Sequence, residues 1–173
     1  MPVLPEYRLD GKVAFIAGEG DGITPALATA LAEAGAKVFI LAAGAPTVET
    51  SMISIAKIGG EALGQFGDAS DPVRVERGLE AFMPIWGQVD ILVNNCRTYL
   101  GKPFEDTSGE EWEEVMRRNV GAARQLCHRV GLEMLRQGGG RIINMISGLA
   151  ERGLWNSTAF CASQGAVLQL TKS

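Results

Sequence analysis

The sequence predicts an α/β fold in which helices cover both faces of a parallel sheet. Apolar runs of strand length alternate five times with segments of helical hydrophobic period. The connections between them are short and rich in glycine and proline. Runs that are apolar throughout, such as KVAFIAG at 12–18, are typical of strands buried on both faces. The 173 residues contain no repeat, low-complexity segment or linker, so we expect a single domain over 1–173.

Five strands are expected from the apolar runs and the turn residues that follow them. The first run ends in glycine, and the third is the weakest because its apolar residues are fewer. The expected strands are 12–18, 36–44, 61–68, 89–95 and 140–147.

Helices are expected after each strand. Pro25 suits the first turn of the first helix, which Gly35 ends, and Pro72 opens the third. The remaining helices are expected at 47–58, at 108–137 and from about 157 onward. The last of them reaches Ser173 without a glycine, proline or polar cap, so we expect the domain to be cut short there.

Composition excludes several classes of partner. The net charge is -4, and the longest basic cluster is the pair Arg117 and Arg118, which argues against nucleic acid or an anionic membrane as a ligand. No apolar run is long enough to cross a bilayer. Three cysteines and one histidine lack metal-ligand spacing, so we expect no metal, reduced thiols and a cytoplasmic protein.

Polar and glycine residues follow the strands at the edge where doubly wound sheets bind ligands. The turn AGEGDGIT has glycines at 18, 20 and 22, which allow a tight turn and a close approach of a pyrophosphate to helix amides. Asp68, Asn94 and Asn95 end the third and fourth strands, and Ser147 ends the fifth. Each of these residues alone is typical of a turn or a helix cap.

Asn119 stands out in the long fourth helix. It shares a helical face with apolar residues, so its amide is expected to point toward the core. A buried amide needs hydrogen-bond partners, and the simplest interpretation is a tie between the helix and a loop.

The motifs AGEGDGIT, GDASD, DILVNN, RNVGA and GRIINMIS, in this order along essentially the whole chain, resemble the short-chain dehydrogenase/reductase family. The resemblance implies a Rossmann-type sheet in the strand order 3-2-1-4-5 that binds NAD or NADP. It also implies a small-molecule substrate and a homodimer or homotetramer. Family members usually run to about 250 residues, which implies that the C-terminal part of the usual domain is missing here.

The resemblance also assigns cofactor-binding residues. Three departures put that assignment in doubt: Thr24 replaces a glycine, Arg97 stands where the family keeps bare backbone, and Ala42 and Ala43 offer neither an acid nor an arginine to select NAD or NADP. The implied cofactor-binding residues are Gly18, Gly20, Asp21, Gly22, Ile23, Asp68, Ala69, Asn95 and Cys96.

The catalytic tetrad of the family is half retained. Asn119 and Ser147 match its asparagine and serine, whereas its tyrosine and lysine fall on Phe160 and Gln164. In the family the tyrosine passes a proton, and the lysine lowers the pKa of that phenol and holds the nicotinamide ribose. Phenylalanine has no such proton and glutamine has no charge. We therefore expect impaired hydride transfer, and cofactor binding itself could be lost.

Three functional interpretations remain open at this point. The first is an oxidoreductase that acts on a carbonyl or hydroxyl group with a relocated proton donor. Tyr99 is the candidate phenol, because it follows Asn95 by four residues on the loop that leaves the cofactor side. The second is a non-catalytic dinucleotide-binding or partner subunit. The third is a non-redox reaction in which Arg97 holds an anionic substrate. Tyr7 is expected to be remote from the site, no histidine is placed to activate Cys161, and His128 is expected to be exposed or at an interface.

Overall fold

A five-stranded parallel sheet in the order β3-β2-β1-β4-β5 forms the centre of the computed structural model, which describes residues 4–20 and 22–173. This is the strand order that the family resemblance implies. The strands are β1 Val13–Gly18, β2 Lys37–Ala42, β3 Ala62–Phe66, β4 Ile91–Asn95 and β5 Arg141–Asn144.

Helices follow the strands, as the alternating pattern predicts. Asp71 caps α3 by accepting from the N–H of Val73, and Ser108 and Glu111 form a capping box at the start of α4. The helices are α1 Ile23–Glu33, α2 Ala45–Lys57, α3 Pro72–Trp86, α4 Gly109–Met116, α5 Ala122–Arg136, α6 Leu149–Arg152 and α7 Thr158–Lys172.

The core has two layers because β1 and β2 are buried on both faces. On one face, Phe15 and Phe39 meet edge to face with ring centroids 5.1 Å apart, and Phe82 of α3 packs against both. On the other face, Ile16 and Ile40 pack against α1 and α2. This double burial explains the continuous apolar runs in the sequence.

The expected fifth strand is too long, and the expected long fourth helix is present with a π-helical turn inside it. The fifth strand ends at Asn144 rather than at 147. The N–H of Met145 makes the last bond to β4, at the Asn94 carbonyl, and the N–H of Ser147 bonds to the side chain of Gln164. The helix expected at 108–137 is interrupted by a π-helical turn, Arg117–Gly121, between α4 and α5. Among the described residues, no helix is long and apolar enough to cross a membrane.

Candidate active site at the carboxyl ends of the strands

The polar residues that follow the strands lie at one edge of the sheet, since all five strands are parallel. Gly18 ends β1 and Asn94 and Asn95 end β4, whereas Asp68 and Ser147 lie in the loops after β3 and β5. This is the edge at which doubly wound folds bind nucleotides.

Thr24 fits into the glycine turn because Gly18 has no side chain. A Cβ on Gly18 would lie 2.1 Å from Thr24 Oγ1, well inside contact distance. Thr24 is fully buried, and its Oγ1 accepts a hydrogen bond of 3.0 Å from Asn95 Nδ2. The bulk that replaces the family's glycine is therefore accommodated between α1 and the ends of β1 and β4.

The start of α1 remains open to a ligand. Gly22 and Ile23 are exposed, and a Cβ on Gly22 would meet nothing within 4 Å. Gly20 is also exposed, and it approaches the loop after β2, where a Cβ on Gly44 would lie 3.3 Å from its Cα. Asp21 lies outside the described residues. The helix N-terminus is thus accessible to a phosphate group.

Both carboxylate oxygens of Asp68 are engaged within the protein. Its Oδ1 accepts from the N–H and the hydroxyl of Ser70, each at 2.8 Å, and its Oδ2 accepts from Arg117 Nη1 at 3.2 Å. Burial raises the pKa of Asp68, but the Ser70 groups and the Arg117 guanidinium hold it below its ordinary value. Asp68 is therefore an ionised acceptor whose partners are already present.

A second arginine extends this charged cluster. Arg118 lies within 3.6 Å of Asp68 Oδ2 and within 3.5 Å of Glu19 Oε2, and Glu114 is 3.7 Å away. These separations are ion-pair contacts rather than hydrogen bonds. Arg118 thereby connects the loop after β1 to the loop after β3.

Asn119 is completely buried in the π-helical turn and holds three segments together. Its Oδ1 accepts from the N–H of Thr98 at 2.6 Å, and its Nδ2 donates to the Thr98 carbonyl at 3.0 Å and to Ser163 Oγ at 2.8 Å. The amide thus joins the loop after β4 to α7. The tie to a loop that the sequence predicts is present, with α7 as an additional partner.

Gln164 turns toward the loop after β5. It is 1% exposed, and its Oε1 accepts a hydrogen bond of 2.9 Å from the N–H of Ser147. The hydroxyl of Ser147 accepts from the N–H of Leu149 at 3.2 Å. The side chain in the register of the family's lysine therefore stabilises the loop that carries the serine.

Phe160 is buried under Tyr99. The two rings meet edge to face with centroids 5.0 Å apart, and Tyr99 Oη lies 2.9 Å from Ser157 Oγ. A Cβ on Gly101 would lie 3.0 Å from the Tyr99 ring, so this glycine permits the placement of the phenol. The sequence suggested a relocated phenol, and the structure brings that phenol against the ring in the tyrosine register.

The remaining candidate residues are either buried within the fold or exposed at its surface. Ala69 and Cys96 are buried, and the N–H of Cys96 donates to Asn94 Oδ1 at 3.2 Å. Tyr7 and His128 are exposed. In the part of the chain that the structure describes, no group of three or more His, Cys, Asp or Glu side chains could hold a metal ion.

Sequence reasoning missed the cluster around Asp68. In the sequence Arg117 and Arg118 stand out only as a basic pair, and Glu19 only as part of the glycine turn. A usable signal was present, because these arginines immediately precede Asn119, whose inward direction fixes which way the adjacent side chains point.

The diphosphate, the adenosine half and the nicotinamide half of a dinucleotide would meet different surroundings at this site. The exposed start of α1 fits a diphosphate. On the adenosine side, Asp68 is bonded to Ser70 and Arg117, and Arg118 pairs with Glu19 and Asp68, so an adenosine would have to displace some of these contacts. At the other end, Gln164 is already bonded to Ser147.

The comparisons with known proteins all indicate the same family. A family model described as short chain dehydrogenase matches residues 12–173. D-threitol dehydrogenase of Mycolicibacterium smegmatis is 33% identical over 167 residues, which cover 96% of this chain and 64% of that enzyme. Sorbitol dehydrogenase of Cereibacter sphaeroides is 34% identical with the same two coverages. The chain thus spans a little less than two thirds of the length of these curated relatives.

Solved structures share the fold. A short-chain type dehydrogenase/reductase from Mycobacterium marinum superimposes with a TM-score of 0.90 at 31% identity, covering 96% of this chain and 68% of that one. An NAD+-bound xylitol dehydrogenase gives a TM-score of 0.85 at 28% identity, covering 94% and 63%.

Proposed function

This chain belongs to the short-chain dehydrogenase/reductase family, and from that premise we propose that it keeps a nicotinamide dinucleotide cleft, NAD or NADP, without the family's ordinary hydride transfer. It would act as a non-catalytic binding or partner subunit. Fold alone does not decide function, so the proposal depends on the residues at the site.

The hydrogen bond between Gln164 and Ser147 is the observation that carries the proposal. Gln164 is buried, and its oxygen accepts from the N–H of Ser147 at 2.9 Å. An amide supplies no charge to lower the pKa of a phenol, and the N–H of Ser147 already occupies one acceptor site of its oxygen. The position has a structural role in place of the chemical role that the family gives it.

The replacement at Phe160 removes the proton that would balance hydride addition to a carbonyl. Losing a general acid costs about 10²- to 10⁴-fold in rate, which corresponds to about 3 to 5 kcal/mol of activation free energy. Ser147 keeps a hydroxyl that could hold a substrate oxygen, but a serine alone does not replace a phenol of lowered pKa.

Restoring the missing pair tests the proposal. Wild type, Phe160→Tyr and the double variant Phe160→Tyr/Gln164→Lys are each incubated with NADH or NADPH and a panel of sugar and keto-acid carbonyls, and absorbance at the nicotinamide band is followed. We expect background rates in wild type and in Phe160→Tyr. Carbonyl turnover by the wild type at the rate of an ordinary family enzyme would contradict the proposal. Carbonyl turnover by the double variant alone would support it.

A second candidate function follows from the position of Tyr99. Its ring touches Phe160 and its hydroxyl is bonded to Ser157, so an oxidoreductase with a relocated phenol is chemically possible. The two tyrosines of the chain give a matched pair of variants. This candidate would be favoured if Tyr99→Phe lost NAD(P)H-dependent carbonyl reduction while Tyr7→Phe kept it.

A non-redox role for Arg97 has less support. Arg97 is half-buried at the same edge and is not free, since it takes part in an interaction within the protein. An anionic substrate would have to compete for it.

We further propose a homodimer or homotetramer in the cytoplasm. The three free cysteines suit a reducing compartment. Analytical ultracentrifugation of the purified chain measures the oligomeric state, and a monomer at all concentrations would contradict the assembly.

A further inference from the structure

We propose that Arg118, through its ion pairs with Glu19 and Asp68, obstructs the adenosine half of the cleft and thereby controls the binding of adenine nucleotides. The inference rests on the proposed function, namely that the cleft is kept.

The position of Arg118 follows from its partners. Its Nη2 lies 3.5 Å from Glu19 Oε2, in the loop after β1, and its Nε lies 3.6 Å from Asp68 Oδ2, in the loop after β3. In the sheet, β2 separates β1 from β3, so these two strands are about 10 Å apart. The guanidinium therefore pairs with side chains from two loops whose strands are not adjacent in the sheet.

This edge is where an adenosine would have to lie. In doubly wound sheets the first βαβαβ unit binds one mononucleotide, with its phosphate at the N-terminus of the first helix. Here that unit is β1 to β3, and the exposed start of α1 lies beside Glu19. A nucleoside attached to a phosphate at α1 would meet Arg118 on its way toward Asp68.

Among the described residues, ion pairs hold Arg118, and none of its partners is at hydrogen-bond distance of the guanidinium. All three carboxylates around Arg118 are at 3.5 Å or more, and its Nε is buried without a hydrogen bond to any described residue. Moving the side chain therefore breaks ion pairs but no hydrogen bond between the guanidinium and a described residue. Such pairs weaken as ionic strength rises.

The cluster is also a poor receptor for an anion. Among the described residues that pair with Arg117 and Arg118, Glu19, Asp68 and Glu114 carry three negative charges against two positive ones. An incoming phosphate would have to displace a carboxylate. The charge balance therefore favours a closed contact over a second phosphate site.

Adenosine is the probe that separates these effects because it carries no charge. Its dissociation constant is measured by calorimetry for wild type, Arg118→Met and Arg124→Met. Methionine keeps an unbranched stem, and Arg124 is an exposed arginine on α5 that makes no contact with the cluster, so it controls for the loss of one charge. NADH is titrated in parallel, together with Glu19→Gln/Arg118→Met, in which both members of one ion pair are neutral.

We expect Arg118→Met to bind adenosine at least about tenfold more tightly than wild type and Arg124→Met. In wild type, raising the salt concentration from about 0.02 to about 0.5 M should strengthen adenosine binding, whereas Arg118→Met should show no such dependence. The salt titration uses the wild-type protein, so it remains decisive if the variant does not fold.

Equal adenosine affinity in Arg118→Met and Arg124→Met would overturn the inference. Weaker binding by Arg118→Met would also overturn it, because the guanidinium would then hold the base rather than exclude it. Both outcomes concern binding only. The proposed loss of hydride transfer fails separately, through carbonyl turnover by the wild-type chain.

Discussion

The contact between Gly18 and Thr24 gives a quantitative prediction about the glycine turn. In Gly18→Ala, the new Cβ would lie 2.1 Å from Thr24 Oγ1 and 2.9 Å from Thr24 Cγ2. Thr24 is fully buried, and its hydroxyl is bonded to Asn95 at 3.0 Å, so it has no free space to move into. Overpacking and the loss of this hydrogen bond together predict a cost of about 2 to 5 kcal/mol in the free energy of unfolding.

Urea unfolding of four proteins measures the effect: wild type, Gly18→Ala, Thr24→Gly and the double variant. Because Thr24→Gly removes the clashing atoms, Gly18→Ala should cost at least about 2 kcal/mol less in that background. Gly22→Ala is the matched control, since a Cβ there meets nothing within 4 Å and its φ of -71° suits alanine, and it should be neutral or slightly stabilising. An equal cost of Gly18→Ala in both backgrounds would refute the steric argument.

Two further predictions concern stability. Asn119→Ala removes three hydrogen bonds from a fully buried position and should lower the free energy of unfolding by about 3 kcal/mol in the same urea assay, and a change below about 0.5 kcal/mol would contradict the tie. Burial raises the pKa of Asp90, but the N–H of Val13, the Lys12 ammonium and the Gln88 amide hold it below its ordinary value. A lowered folded-state pKa stabilises the protein above the unfolded-state pKa, and this contribution is lost as the pH falls through the folded-state value. Asp90→Asn should therefore be destabilised relative to wild type at pH 7, with the difference shrinking below about pH 4, and a constant difference would exclude this linkage.

The fold follows from the sequence because its signals are local. Buried runs such as 12–18 and the punctuation by Gly35 and Pro72 place the strands and helices without any knowledge of tertiary contacts. The end of β5 has no local signal, since beyond Met145 the chain leaves β4 and the N–H of Ser147 bonds to Gln164, 17 residues later. The π-helical turn at Arg117–Gly121 contains Asn119, whose side-chain partners lie outside its own helix and are not visible in the local pattern.

The candidate site was only partly predictable for the same reason. Sequence spacing identified Ser147, Asn119 and the two replaced positions, because they lie in a fixed order along the chain. It could not show that Gln164 points to the loop after β5, nor that Arg118 reaches both Glu19 and Asp68. These contacts join segments that are far apart in sequence and depend on which rotamer each long side chain adopts.

Ser147→Ala tests most directly whether the proton relay is lost. The rate of NAD(P)H consumption with a panel of carbonyl substrates is measured for wild type and Ser147→Ala at equal protein concentration. We predict the same background rate in both proteins, because a serine has little to contribute once the phenol and the lysine charge are missing. A decrease of about tenfold or more in Ser147→Ala would show a working active site and an intact proton relay.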